Sequence, residues 1–185
     1  IYQSYFYPGK PGPLGEANWV GYFQSLFLDD KGEFREDTDL DAALTLSKDM
    51  IVETFFDTNQ QITKGVRWSV DGKGVKVASS TIDLKDIKPI WEAGKLLADR
   101  LESTRNIFTW IDNGDGYVDA AEVIDFRSGQ SGTLLKYLRA ANNTHSENII
   151  NFIRGRKIAA PGFRNRDVDI GVTWKLGDIL YSDPA

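Results

Sequence analysis

Two stretches of the chain place oxygen-bearing side chains at alternate positions of a short acidic run. Side chains so spaced converge from one side, which lets a tight loop wrap a single hard cation. The first stretch is Asp37-Thr-Asp39-Leu-Asp41-Ala-Ala43-Leu44-Thr45. An EF-type loop takes ligands at positions 1, 3 and 5, a carbonyl at 7 and a carboxylate at 12. Asp37, Asp39, Asp41 and the Ala43 carbonyl fill the first four places, and Asp49 falls one place beyond the last. Ala42 stands where such a loop turns on glycine, and Lys48 occupies the closing position. The competing reading is an acidic helix start, where Asp favours the helix macrodipole.

The second stretch is Ile111-Asp112-Asn113-Gly114-Asp115-Gly116-Tyr117-Val118-Asp119-Ala-Ala-Glu122. With Gly116 as the turn glycine, Asn113, Asp115, the Tyr117 carbonyl, Asp119 and Glu122 take the remaining ligand places, and Val118 is the apolar anchor. Only the first place departs: it is Ile111, with Asp112 displaced by one. A distorted turn would let Asp112 reach the ion. Without one, Asp112, Asp115 and Asp119 crowd like charges. Many flexible oxygens suit Ca2+ better than the tight octahedron of Mg2+. The competing reading is a solvated Asn-Gly/Asp-Gly hairpin turn.

Other chemistry is sparse. Arg154, Arg156, Lys157, Arg164 and Arg166 form a basic run suited to phosphate or an acidic partner, or to the solvated flank of an interface. With Trp174 they make a candidate partner-binding set. Trp19, Trp68, Trp91, Trp110 and Trp174 lie inside apolar patterns and are expected in the core, ahead of a sugar-stacking platform. No cysteine and one histidine exclude disulfides, thiolate catalysis and every two-histidine metal motif. A serine triad would have to use His145, and no Gly-x-Ser-x-Gly elbow presents a serine. Nothing positive supports catalysis. A glycan hydrolase with paired carboxylates stays open as an alternative, as does a carbohydrate-binding or dockerin-like calcium module.

The elements that must hold these loops read as α+β. The chain has 185 residues, 41% of them hydrophobic, and no run long and apolar enough for a membrane span. Residues 1–125 carry 22 acids and 13 bases, net −9, and residues 126–185 carry 5 and 9, net +4, which recovers the overall −5. That split argues against nucleic-acid binding along the whole chain. Residues 19–28 read as a buried strand, with Asp29–Gly32 turning into a return strand at residues 33–35. Val66, Trp68 and Val70 alternate, Asp71–Gly74 turns, and Val75 and Val77 alternate back. Helical spacing runs from Ile87 to Leu101, with Pro89 in the first turn. Residues 106–110 and 123–126 are strand-like, and Ser131 can cap a short helix. Thr144 and Glu147 match a capping box for a further helix that stops at Gly155. Three to four short helices thus follow a mainly β part (1–84), and residues 85–185 are mixed helix and loop. Val172–Tyr181 reads as a terminal strand in need of a partner. The start at Ile1 suggests a fragment of a larger protein.

Several segments are together similar to a known family. Asn18–Asp37 resembles the "W-x-G … L … D-x-x-G … R-x-D" opening of the tip-associated adhesin (PilY) family of type IV pili, through Trp19, Gly21, Asp29, Gly32, Arg35 and Asp37. Ile90–Leu97, Arg105–Thr109, Ile150–Gly155 and Phe163–Arg166 follow in the family's order. Trp174–Pro184 resembles the "LGDI-x-x-S-x-P" segment that leads into the family's C-terminal β-propeller. The resemblance implies a non-enzymatic piece of a secreted bacterial adhesin, exported through the periplasm to the pilus tip and serving cell adhesion, pilus assembly and twitching motility. It implies calcium in acidic loops. It also implies as partners the adhesin's own propeller or a complementary chain, minor pilins, and a host or surface ligand.

Overall fold

The computed structural model describes residues 1–177, and the fold is α+β. The strands are β1 (Tyr2–Gly12), β2 (Gly15–Ser25), β3 (Phe27–Leu28), β4 (Phe34–Arg35), β5 (Ile51–Asp57), β6 (Ile62–Val70), β7 (Lys76–Asp83), β8 (Trp91–Glu92), β9 (Phe108–Trp110), β10 (Val123–Asp125), β11 (Asp167–Asp169) and β12 (Val172–Thr173). The helices are α1 (Ala93–Asp99), α2 (Ser131–Leu134) and α3 (Asn143–Arg154). The sheets run β1-β2-β8, β3-β4-β5-β6-β7, β9-β10 and β11-β12. The chain forms two compact units: Ile1–Phe6 with Gly21–Ala93, and Tyr7–Val20 with Gly94–Gly177.

In the first unit, the predicted hairpins form. Phe27 pairs Arg35 across a turn in which Gly32 takes φ 79°, and β6 pairs β7 from Lys64↔Asp83 to Val70↔Lys76. Between them lies β5, an Ile-Val-Glu-Thr-Phe-Phe run whose first two residues, Ile51 and Val52, are buried. Val52 joins Leu26, Leu84 and Ile87 in the core of this unit, with Tyr5 and Ile82 against it. The helix expected from Ile87 starts only at Ala93. Trp91 is extended and pairs Ser25 on the edge of β2.

The second unit packs Phe126, Leu134 and Ile150 together, with Ile107, Ile111, Ile124 and Leu138 around them. Helix α3 contributes Ile150 from its buried face. Its cap is Asn142, whose side chain accepts the His145 N–H at 2.9 Å, so the capping box expected at Thr144 lies inside the helix. Gly155 ends it in the left-handed region, φ 111°, as a C-terminal glycine should. Within the described part of the expected terminal strand, Val172–Thr173 is strand and pairs β11, and residues 174–177 are not strand. Trp174 instead buries its indole over Gly94, where an added Cβ would meet the ring at 2.1 Å. The rest of that predicted strand, residues 178–181, lies outside the described residues.

Candidate metal centre

The β9–β10 connection carries the second acidic stretch. Val123 pairs Trp110, and the Ile111 N–H donates to the Glu122 carbonyl at 2.9 Å, closing the loop at its neck. Ile111 packs against the Phe126 core, which explains why a ligand is missing at that place. Asp112 is the first residue beyond the core and is exposed. Gly114 and Gly116 then turn the chain with φ of 97° and 81°, the region glycine enters without strain.

The outcome is a convergence of Asp112, Asp115 and Glu122, with carboxylate oxygens all within 4.8 Å of one another. Glu122 is buried, and the other two are exposed. Loop amides hold the group in place. Asp112 accepts from the Gly114 N–H at 2.6 Å, and Asp115 from Tyr117 N–H at 2.8 Å. Glu122 accepts from Asn113 N–H at 2.6 Å and Asp119 N–H at 3.3 Å. Each carboxylate has two oxygens and about four lone-pair sites, so these bonds leave acceptor capacity for a cation. Asn113 donates its side-chain amide to Asp115 at 3.2 Å. Asp119 stays outside the trio and accepts from Ala121 N–H at 2.7 Å, capping the next turn. The Tyr117 ring is exposed. Among the described residues no Lys or Arg lies within ion-pair distance of Asp112, Asp115, Asp119 or Glu122. An all-oxygen, uncompensated donor set fits a hard divalent cation.

The first acidic stretch is built differently. Asp37, Asp39 and Asp49 converge within the same 4.8 Å, bringing in Asp49 despite its late place, while Asp41 stays outside the trio and accepts the Ala43 N–H at 2.8 Å. Asp37 and Asp49 are buried, and each is engaged by two amides. Asp37 accepts from Asp41 N–H at 3.1 Å and Ala42 N–H at 3.0 Å. Asp49 accepts from Thr38 N–H at 3.0 Å and Thr45 N–H at 2.7 Å. Ala42 does adopt the left-handed conformation of the missing glycine, φ 59°, and Leu40 does so too, φ 62°. Lys48, in the closing position, pairs with Asp39 at 2.9 Å. That pairing lowers the Asp39 carboxyl below its usual range, chiefly through the hydrogen bond, and raises Lys48 in return.

Beneath this loop lies a residue that sequence reading missed as a hub. Arg35, 1% exposed, donates Nε to Asp29 at 2.7 Å and its other donors to the carbonyls of Leu46, Asp49 and Gly74 at 2.9–3.0 Å. Burial alone would raise the Asp29 carboxyl. The Arg35 bond and the Glu33 and Lys31 amides outweigh it and leave the pKa lowered. The only signal in the sequence was the Asp29…Arg35 spacing quoted for the family opening.

The proposed basic docking set separates. Arg156 and Arg164 are exposed. Arg154 is buried and donates to the carbonyls of Phe126, Glu102 and Arg105, so it ties chain segments together instead of facing a partner. Arg166 and Trp174 are also buried. Among the tryptophans, Trp174 is core and Trp68 and Trp91 are half-buried, whereas Trp19 and Trp110 are 49% and 57% exposed against expectation. Trp110 sits in a two-stranded sheet with Phe108 on the same face, 60% exposed. His145 is exposed and accepts the Ala141 N–H through Nδ1 at 3.2 Å, a local bond at the start of α3. Comparisons of the chain with protein-family models, with curated proteins and with solved structures find no match.

Proposed function

We propose that this chain is a calcium-binding structural and adhesive module of a type IV pilus tip adhesin, with no catalytic task. The observation that carries the calcium part is the Asp112–Asp115–Glu122 convergence, with no cationic side chain of the described residues in reach. An ion there would bind the two ends of the β9–β10 loop through Asp112 and Glu122 and stiffen it. The adhesin part rests on the ordered motifs similar to the PilY family. Support comes from what those motif positions do: Asp29, Gly32 and Arg35 build a turn and a buried ion pair, which is scaffold work. In this reading the partners are the rest of the adhesin with its β-propeller, minor pilins at the tip, and a surface ligand outside the cell.

Thermal melting with millimolar calcium and with chelator tests the metal. A ligand a hundredfold above its dissociation constant adds about 2.7 kcal/mol to the folded state. The midpoint should rise on adding calcium, and Asp115→Ala should abolish the rise. An unchanged midpoint in the wild-type chain would remove the calcium claim. Co-purification of the tagged chain with minor pilins tests the adhesin claim separately.

One observation favours a second reading, a carbohydrate-binding calcium module. Phe108 and Trp110 present adjacent exposed rings on β9, next to the acidic loop. A glycan array, with Trp110→Ala as control, decides it: calcium-dependent binding lost in the variant would favour this reading.

A further inference from the structure

A cavity of about 400 Å³ opens in the second unit, away from both acidic loops in sequence. Leu14, Phe152 and Phe163 form its apolar side, and Lys157, Arg164 and Arg166 its cationic side. The cations are not equivalent. Lys157 is neutralised by Asp167 at 2.5 Å. Arg166 is only 8% exposed, with its guanidinium stacked 3.9 Å from the Phe152 ring centroid, and it donates Nη2 to the Arg156 carbonyl at 2.9 Å. Arg164 donates to the Asn18 carbonyl. Among the described residues, no carboxylate lies within ion-pair distance of either guanidinium.

A guanidinium out of water with no carboxylate in direct contact is costly, and folded chains normally pair it. Burial first, and the positive charges of Arg164 and Arg105 next, push the Arg166 pKa down to about 10, against a smaller upward pull from Asp167, whose carboxylate is paired with Lys157. Each guanidinium offers five donors in a planar fork matched to a carboxylate, and one carbonyl uses few of them. A concave site of this volume with apolar walls and a few fixed polar anchors has the make-up of a small-ligand pocket. The aromatic walls disfavour a heavily hydrated dianion such as phosphate, and suit a single negative charge attached to an apolar body.

We propose that this cavity binds an organic carboxylate with an aromatic or branched apolar body, its carboxylate held by Arg166 with Arg164 beside it and its body against Phe152 and Phe163. The ligand is either a free aromatic acid or the C-terminal carboxylate of a peptide ending in an apolar residue. The two share this chemistry.

Titration calorimetry and amide chemical-shift mapping of the whole chain test the site, with sodium benzoate and N-acetylphenylalanine as probes. Sodium acetate, benzyl alcohol and inorganic phosphate serve as comparators. Saturable one-to-one binding of at least one probe is expected, with shifts at Phe152, Phe163 and Arg166. Acetate lacks the body and benzyl alcohol lacks the charge, so each should bind about tenfold more weakly or worse. Tighter N-acetylphenylalanine assigns a peptide terminus, and tighter benzoate a free acid. Arg166→Gln should weaken the better probe about tenfold or more, the scale of a lost charge-assisted hydrogen bond. Should Arg166→Gln fail to fold, Arg164→Gln, at an exposed side chain, should weaken it severalfold. Arg156→Gln, whose side chain faces Glu102, should leave it unchanged. No saturation by either probe, phosphate binding more tightly than both, or wild-type affinity in Arg164→Gln and any folded Arg166→Gln would each overturn the proposal.

Discussion

The two acidic loops contain nearly the same residue types, and the fold uses them in opposite ways. In the 37–49 loop, two carboxylates are buried, each takes two backbone amides, and the third is neutralised by Lys48. In the 112–122 loop, only Glu122 is buried, and among the described residues no side-chain cation approaches. The first loop therefore carries its own counter-charge and serves the fold. The second has converging negative charge with no side-chain cation of the described residues beside it, and on the function proposed above a calcium ion would relieve it. Clustered aspartates alone do not distinguish these cases. What distinguishes them is how far the carboxylates are buried and whether a lysine stands at the closing position, since each trio accepts four backbone amides.

The sharpest way to break this comparison is at Arg35, on which the first loop rests. Arg35→Met strands Asp29 in the interior and removes donors from the Leu46, Asp49 and Gly74 carbonyls. Breaking a buried pair from one side costs about 3–5 kcal/mol. Chemical denaturation should show a loss of that order, the same with calcium or chelator. A loss that calcium restores would mean the first loop holds an ion after all.

Next in size is the effect of calcium that the proposed function assigns to the second loop. A stabilisation near 2.7 kcal/mol corresponds to a midpoint shift of roughly 5–10 °C for a chain of this length. Scanning calorimetry should find that shift in the wild type and in Asp37→Asn, and not in Asp115→Asn. Asp37→Asn should still lower the baseline stability, because Asp37 anchors two amides of its loop. If the two variants exchanged behaviours, the roles assigned to the loops would be reversed.

A smaller effect follows from acid. The Asp29 pKa is lowered in the folded chain, so its contribution is fully present above the unfolded value of about 3.9. As pH falls through the lower folded value, that contribution is lost. Stability measured in chelator should therefore hold to about pH 5 and drop below about pH 4, and Asp29→Asn should flatten the drop. A drop of equal steepness in the variant would place the acid sensitivity elsewhere.

Much of this arrangement was legible in the residues, for physical reasons that also mark where legibility ended. The hairpins around Asp29–Gly32 and Asp71–Gly74 are local, and their turn residues and alternation say so directly. Gly155 as a helix stop, and Gly116 as a loop turn, are likewise local backbone requirements. The failures all depended on tertiary partners. Trp91 follows a helical spacing yet pairs with Ser25, because an open strand edge outweighs propensity. The position of Asp112 followed only once Ile111 was seen in the core. Arg154 and Arg166 read as surface charges because burial of a guanidinium under backbone carbonyls leaves no trace in a one-dimensional pattern. Trp110 read as core because its alternation cannot reveal that one face of a two-stranded sheet is uncovered.

The smallest effect is the one that converts one loop into the other. Lys48 stands at the closing position, where an EF-type loop carries a glutamate. It is an exposed residue, and its pair with Asp39 has the weak energetics of a surface bridge. Lys48→Glu removes the internal counter-charge and adds a carboxylate beside Asp37, Asp39 and Asp49. Without calcium the variant should melt slightly below wild type, since Asp39 then faces a like charge. With calcium, isothermal titration should count two ions per chain where the wild type takes one. Ala42 already holds the left-handed turn that the position demands, so the backbone needs no rearrangement. A count that stayed at one would show that the burial of Asp37 and Asp49, and not Lys48, closes this loop to a cation.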